Sequence, residues 1–240
     1  MILCLDAGNT RLKYGLHDGS GWRRQGALNH DALGDLAADL PARPTRIVAC
    51  NVAGDAVRQR IAAFAASLDL PLAWLTSTAA ACGVSNAYDT PQQLGADRWA
   101  ALIGARALHA GACVVVMAGT ATTIDTLDDT GRFRGGLILP GLSLMRAALA
   151  GGTADLPHAS GHFRPLPTNT DDAIVSGAIH ATLGAIQRMR ATLGDEAPCL
   201  LSGGAAAELV PQLNAPHRLI DNLVLEGLLR FGIACPTSGN

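Results

Sequence analysis

The sequence predicts a duplicated α/β domain, and three observations carry that reading. The first is order: each half of the 240-residue chain opens with three strand-like runs joined by tight turns, then alternates helix with strand. The second is scale, since a repeat this long exceeds a solenoid unit and fits two copies of a domain. The third is a matched glycine turn. Setting Gly8 over Gly119 lays the apolar run Ile2 to Ala7 over Cys113 to Ala118, with Asp6 opposite Met117 as the one change of character. Two such domains, 1–110 and 111–240, are expected to face each other across a cleft with one glycine turn on each wall. Ligands favour such domain interfaces.

In the first half, strands are expected at Met1–Asp6, Arg11–His17 and Trp22–Leu28. They are separated by turn signals at Ala7-Gly8-Asn9-Thr10 and Asp18-Gly19-Ser20-Gly21. Ala32–Leu40 reads as helix, Arg46–Cys50 as a buried strand, Val57–Leu68 as an amphipathic helix and Leu72–Leu75 as a strand. The polar stretch Thr76–Gln93 reads as loop. Ala96, Trp99, Ala100, Ile103 and Ala107 then recur at helical spacing over Ala96–Leu108.

The second half predicts strands at Ala112–Ala118, Thr122–Leu127 and Phe133–Leu139, with a hairpin at Asp128-Asp129-Thr130-Gly131. A helix over Leu142–Ala150, a loop over Gly151–Thr170 and a long helix over Ala173–Leu193 follow. The strand Cys199–Ser202 runs into Gly203-Gly204. A helix over Ala205–Val210, a strand over Arg218–Ile220 and a helix over Asn222–Phe231 close the chain.

Composition narrows the function. Apolar residues make up 49% and charged ones 16%, enough to fill a core and too apolar for a disordered tail, a coiled coil or a charged linker. Net charge is -2 and the longest basic run is Arg23-Arg24, so the phosphate-neutralising cluster that nucleic-acid binding needs is missing. No apolar stretch approaches the 18 or so residues of a membrane span. The N-terminus enters a strand at once without a basic, then apolar, leader. A cytoplasmic protein is expected. Six cysteines lie scattered without a C-x-x-C pair, which points neither to zinc nor to a disulfide framework. Lys13 is the only lysine among 18 basic residues.

Several segments carry chemistry. Asp6-Ala7-Gly8-Asn9-Thr10 puts a carboxylate at a strand end beside a glycine over which a phosphate can approach the backbone, with short polar side chains to meet its oxygens. Asp6 suits Mg²⁺ held through water, and Lys13 suits the same phosphates. An ordinary hairpin followed by a solvated lysine accounts for these residues too. Gly119-Thr120-Ala121-Thr122-Thr123-Ile124-Asp125 gathers hydroxyls and backbone N–H groups after a buried strand. Recurrence of the glycine turn favours phosphate binding there over a plain Thr-rich hairpin. Gly203-Gly204 could admit a base or ribose, or serve only helix entry. Gly95-Ala96-Asp97-Arg98 opens a helix, where the acid could act as a base and the cation as a carboxylate clamp. Spacing alone favours the simpler account, with Asp97 at the positive helix end and Arg98 in solvent.

Together these segments resemble the type III pantothenate kinases. The resemblance rests on Asp6 to Thr10, on Tyr88 with Leu94-Gly95-Ala96-Asp97-Arg98, and on Gly119 to Asp125. It extends to Gly135-Gly136-Leu137-Ile138-Leu139-Pro140-Gly141, Asn169-Thr170, Ser202-Gly203-Gly204 and Asn222 to Leu228, nearly the whole chain. It implies the acetate and sugar kinase–Hsp70–actin fold, ATP-dependent phosphorylation of pantothenate as the first step of coenzyme A synthesis, and a homodimer whose substrate pocket is completed across the subunit interface. By the same resemblance, Asp6, Ala7, Gly8, Asn9, Thr10, Arg11, Leu12 and Lys13 take the ATP phosphates and Mg²⁺, and Thr120 binds ATP from the second domain. Tyr88, Gly95, Ala96, Asp97, Arg98 and Thr170 line the pantothenate pocket. There Asp97 serves as base and Arg98 holds the substrate carboxylate.

One departure stands out. Many relatives carry an acid two positions before the second glycine, associated with K⁺ or NH₄⁺, and here that position is Met117. A thioether is a poor ligand for a hard cation, so the monovalent-cation site is expected to be altered or absent, with Asp125 a substitute donor. Thr90-Pro91 also replaces an Asn-Pro common near the family tyrosine. Two rival functions keep the fold: an accessory protein for transcription, and a kinase for another small hydroxylated substrate. His158 and His162 read as exposed loop residues, His109 and His180 as helix-surface residues, and Trp99 as core or interface.

Overall fold

A computed structural model describes residues 1–153, 156 and 159–235. The chain divides into two compact units, one of Met1–Ala110 with the chain from Asn222 onward, the other of Gly111–Asp221.

In the first unit, β1 (Ile2–Ala7), β2 (Leu12–His17) and β3 (Trp22–Leu28) form an antiparallel meander. Asp18 fixes the second turn: its Oδ1 accepts from the N–H groups of Ser20 (2.8 Å) and Gly21 (2.9 Å). A 3₁₀ turn (His30–Asp35) and the single-turn α1 (Leu36–Asp39) follow, where a continuous helix over Ala32–Leu40 was expected. Gly34 and Asp35 are both weak helix formers and sit at the junction. Next come β4 (Arg46–Asn51), α2 (Asp55–Ser67) and β5 (Leu72–Trp74), and the strand order is β3-β2-β1-β4-β5. Alternation divides β1 between two faces. Leu3, Leu5 and Ala7 join Leu33, Ile61 and Phe64 in one core. Cys4 and Asp6 point the other way.

The expected loop Thr76–Gln93 contains a small hairpin, β6 (Ala80–Ala81) and β7 (Val84–Asn86), and a 3₁₀ turn at Pro91–Gln93. Its two-residue turn is Cys82-Gly83, both with positive φ (50° and 78°), as a type I′ turn requires. α3 (Ala96–Leu108) follows as predicted.

The second unit repeats the plan with β8 (Cys113–Ala118), β9 (Ala121–Leu127), β10 (Arg132–Pro140), α4 (Leu142–Gly152), α5 (Thr170–Arg190), β11 (Cys199–Ser202), α6 (Ala206–Leu209) and β12 (His217–Leu219). Within this unit the strands run β10-β9-β8-β11-β12, the first unit's order with the same senses. The predicted duplication is therefore present strand for strand. α5 begins three residues before the predicted start because Asn169 caps it, its side chain accepting from the Asp172 N–H at 2.9 Å. One face of α5, with Ile174, Ile179, Leu183 and Ile186, packs on Val114, Val116 and Leu201 of the sheet.

α7 (Leu223–Ala234) ends the described chain and belongs to the first unit, although it follows the second in sequence. Two glycines explain this. A Cβ on Gly227 would lie 1.8 Å from the Ala100 carbonyl oxygen, and one on Gly104 would lie 2.3 Å from that of Leu223. α3 and α7 thus cross at backbone contact, and α7 covers the β1–β4 face that bears Asp6, with Gly232 against Val48.

Candidate active site

β1 delivers Asp6 to its C-terminal end, directly opposite Lys13 on β2 and beside Cys50 on the parallel β4. Partners opposed across a strand pair point to the same face, so carboxylate, ammonium and thiol share one locality. The Cys50 Sγ–H donates to Asp6 Oδ1 at 3.5 Å. Asp6 is only 6% exposed, and burial, opposed by Lys13 and assisted by the nearby Asp97 carboxylate, pushes its carboxyl up to about 6. The same surroundings hold the Cys50 thiol well above its usual range.

The turn after β1 exposes Asn9, Thr10 and Arg11, whereas the side chains of Ala7 and Leu12 are buried in the core. Gly8 does not adopt positive φ, and a Cβ there would meet nothing closer than 3.4 Å. Glycine at this position is not demanded by turn geometry, and its missing side chain leaves the backbone open to an approaching group.

At the N-terminus of α3, Gly95 is the N-cap and Asp97 lies in the first turn, its Oδ1 accepting from the Arg98 N–H at 2.8 Å. The carboxylate curls back over Gly95, where a Cβ would sit 2.7 Å from Oδ1. Arg98 departs from the solvated side chain that spacing favoured. It is 4% exposed, Nη1 donates to the Tyr88 hydroxyl at 2.8 Å, and the guanidinium lies 5.7 Å from that ring's centroid. Tyr88, Ala96, Asp97 and Arg98 are therefore one cluster. Thr90-Pro91 does not disturb it, since Pro91 accepts from Asn86 Nδ2 and Asn86 Oδ1 in turn accepts from the Tyr88 N–H.

In the second unit, Thr120 is exposed at the tip of the β8–β9 turn. Gly141 packs on this turn, donating its N–H to the Thr120 carbonyl at 2.9 Å, with room for no Cβ. Met117 occupies on β8 the place Asp6 has on β1 and faces Thr123, and Asp125 lies diagonally from it, fully buried. Gly203 has φ 104° and rests on the Ala118 carbonyl, so protein packing alone accounts for that glycine. Thr170 is exposed at the first position of α5, and Asp172 ties the preceding loop to that helix by accepting from the His162 N–H at 2.7 Å.

Sequence reasoning missed His30, whose Nε2 lies 2.9 Å from the Gly8 carbonyl oxygen, and the Cys50 contact with Asp6. Neither has a local sequence signal, because each depends on strand neighbours far away in the chain. Of the remaining histidines, His162 is exposed, His180 packs against Phe163 (centroids 5.2 Å), His109 caps the end of α3 and His158 lies outside the described residues. Trp99 is core, with no exposure.

Comparison with known proteins bears on what this arrangement does. The profile of the family described as Type III pantothenate kinase matches residues 2–192. A type III pantothenate kinase from Aromatoleum aromaticum is 53% identical over 233 residues, covering 95% of this chain and 96% of that relative. Among solved structures, a Campylobacter jejuni protein assigned to the Baf family of transcriptional activators has a TM-score of 0.68 at 21% identity, covering 97% of this chain and 98% of the other. ROK hexokinase from Thermus thermophilus has a TM-score of 0.51 at 14% identity, covering 97% and 99%. At those identities the likeness concerns fold alone, the fold of actin, Hsp70 and the sugar kinases. The profile spans well over half of the chain, and a near-full-length relative shares more than half of its residues. The chain belongs to the type III pantothenate kinases, which phosphorylate pantothenate in coenzyme A biosynthesis.

Proposed function

We propose that the β1–β2 turn and the start of α3 are the working parts of this reaction. The observation that carries the proposal is the pair of carboxylates within one unit, Asp6 buried at the end of β1 opposite Lys13 and Asp97 in the first turn of α3 beside the buried Arg98. Asp97 accepts the proton of pantothenate's primary hydroxyl as that oxygen bonds to the γ-phosphorus of ATP and ADP departs. Arg98, buried against Tyr88, holds the substrate carboxylate, with Gly95 and Ala96 keeping the approach clear. Thr170 contacts the same substrate in a homodimer. Asp6, Ala7, Gly8, Asn9, Thr10, Arg11, Leu12 and Lys13 form the phosphate-binding segment, with the backbone alone contributing at Ala7 and Leu12. Thr120 is the second unit's ATP-binding residue. Phosphoryl transfer of this kind depends on positioning and charge neutralisation more than on covalent help from the protein.

The residues suit Mg²⁺. Among the described residues no group of three His, Cys, Asp or Glu could enclose a metal. Asp6 alone, beside an open glycine, matches an ion that keeps most of its water and takes the rest of its ligands from phosphates. Mg²⁺ bound there supplies neutralisation of the phosphate charge. A K⁺ or NH₄⁺ site at Met117 does not fit, because a thioether faces Thr123 there, and Asp125 is the remaining carboxylate on that face. We read the enzyme as cytoplasmic, with pantothenate and ATP as its partners and neither nucleic acid nor membrane; a net charge of -2 without a basic cluster supports the exclusion of nucleic acid. Among the described residues no helix is long and apolar enough to cross a bilayer.

A coupled ADP-release assay with pantothenate and a panel of alcohols tests this reading. ADP release should depend on pantothenate, and equal turnover of alcohols lacking a carboxylate would remove Arg98 from its role.

A further inference from the structure

We infer that His30 is a positioning residue of the phosphate-binding turn, acting through the Gly8 carbonyl; the inference rests on the reading of that turn as the nucleotide site. A carbonyl oxygen can only accept, so His30 Nε2 carries the proton and donates at 2.9 Å. Backbone placement secures the ring. The residue opens the 3₁₀ turn that leaves β3, the Ala32 N–H donates to the Asn29 carbonyl at 3.0 Å, and Leu33 anchors the turn in the core.

The duplicated architecture gives the contact its meaning. In the first unit Ala7, Leu12 and Leu28 lie in one row across β1, β2 and β3. In the second unit the corresponding row is Ala118, Thr122 and Leu139. His30 stands two residues beyond Leu28, and Gly141 stands two residues beyond Leu139. They are structural counterparts, and each donates a hydrogen bond to a carbonyl of its own unit's first turn: His30 Nε2 to Gly8, the Gly141 N–H to Thr120. Both units therefore hold the turn from the segment after the third strand, the second by continuing the β9–β10 ladder one pair beyond Pro140–Ala121, the first through a side chain to another carbonyl of the turn. One uses a backbone N–H and the other an imidazole. Since Gly8 is not held by positive φ or by crowding, the latch fixes the carbonyl, and with it the direction of the N–H groups presented to phosphate.

The test compares His30→Ala, His30→Gln and Thr10→Val in full-length enzyme. Loss of one such hydrogen bond should raise KM for ATP roughly threefold to tenfold in His30→Ala, leave KM for pantothenate unchanged, and lower kcat less than it raises KM for ATP. His30→Gln, which can present an amide N–H in the same place, should recover most of the loss. A long-range ¹H–¹⁵N spectrum of the nucleotide-free enzyme should show a ring protonated at Nε2 that is missing from His30→Gln. An unchanged KM for ATP in His30→Ala, a glutamine variant as impaired as the alanine one, or the Nδ1–H tautomer would each overturn the latch. Thr10→Val separates the two levels: if it also leaves ATP binding untouched, the turn is not the nucleotide site and the functional reading itself has failed.

Discussion

Asp6→Asn should make the ligand-free protein more stable at neutral pH while abolishing turnover. Burial, and the neighbouring Asp97, lift the Asp6 carboxyl from 3.8 to about 6, net of the attraction of Lys13 and the Cys50 thiol bond. Each tenfold change in proton affinity is about 1.4 kcal/mol, so ionised Asp6 costs the folded state about 3 kcal/mol relative to its protonated form. The sign follows from the direction. A carboxyl whose folded pKa is raised contributes its stabilisation below the unfolded value near 4, and loses it as pH climbs through about 6. Asparagine is neutral throughout. The apparent Tm of the variant should exceed that of the parent by roughly 6–12 °C at pH 7.5, and the difference should shrink toward zero near pH 4. Differential scanning fluorimetry across that range, without nucleotide or Mg²⁺, measures it directly. A variant less stable than the parent at pH 7.5, or a gap that does not change with pH, would refute the reasoning. The expected exchange of stability for activity is what a strained functional carboxylate produces.

Other outcomes follow from the same geometry. Asp97→Asn should retain ATP binding by calorimetry and lose roughly two to four orders of magnitude in kcat; near-normal kcat would remove Asp97 from the role of base. Arg98→Lys should raise KM for pantothenate roughly tenfold or more with little change in KM for ATP, because an ammonium cannot reproduce the planar fork held against Tyr88. Gly227→Ala places a methyl 1.8 Å from the Ala100 carbonyl oxygen and should cost about 3 kcal/mol or more in urea unfolding, with activity falling because α3 carries Asp97 and Arg98. Replacing K⁺ by Na⁺ in the assay should leave initial rates unchanged, and a strict K⁺ requirement would contradict the reading of Met117.

Much of this was legible in the sequence because it was local or periodic. The apolar run before Gly8 and its echo before Gly119 located both first strands, and the spacing of Trp99, Ala100 and Ile103 located α3. What escaped was non-local. The β6–β7 hairpin is turned by Cys82-Gly83 where Asn-Gly is the usual signal, and strands of two or three residues show no alternation. The home of α7 depends on Gly104 and Gly227 meeting carbonyls on each other's helices, which no window of either segment reveals. Arg98 looked solvated because its partner Tyr88 is ten residues away on the preceding loop. His30 lies 22 residues from Gly8, a pairing visible only once the strands are in register.

The duplication also explains why two equivalent positions diverged. Row for row, Asp6 facing Lys13 in the first unit corresponds to Met117 facing Thr123 in the second. A carboxylate at such a strand end is buried by the fold itself, as Asp6 is at 6% exposure, and here an ammonium stands opposite it across the strand pair. In the second unit the residue opposed to 117 is the neutral Thr123, so an acid there would lack the ammonium that Asp6 has in Lys13. Met117 and Thr123 are neutral together for the reason that Asp6 and Lys13 are charged together: across one strand pair, changing a single partner leaves the other uncompensated. The charge asymmetry is thus a property of the pairs: the first unit carries a carboxylate and an ammonium beside its turn, and the second carries neither at the matching positions.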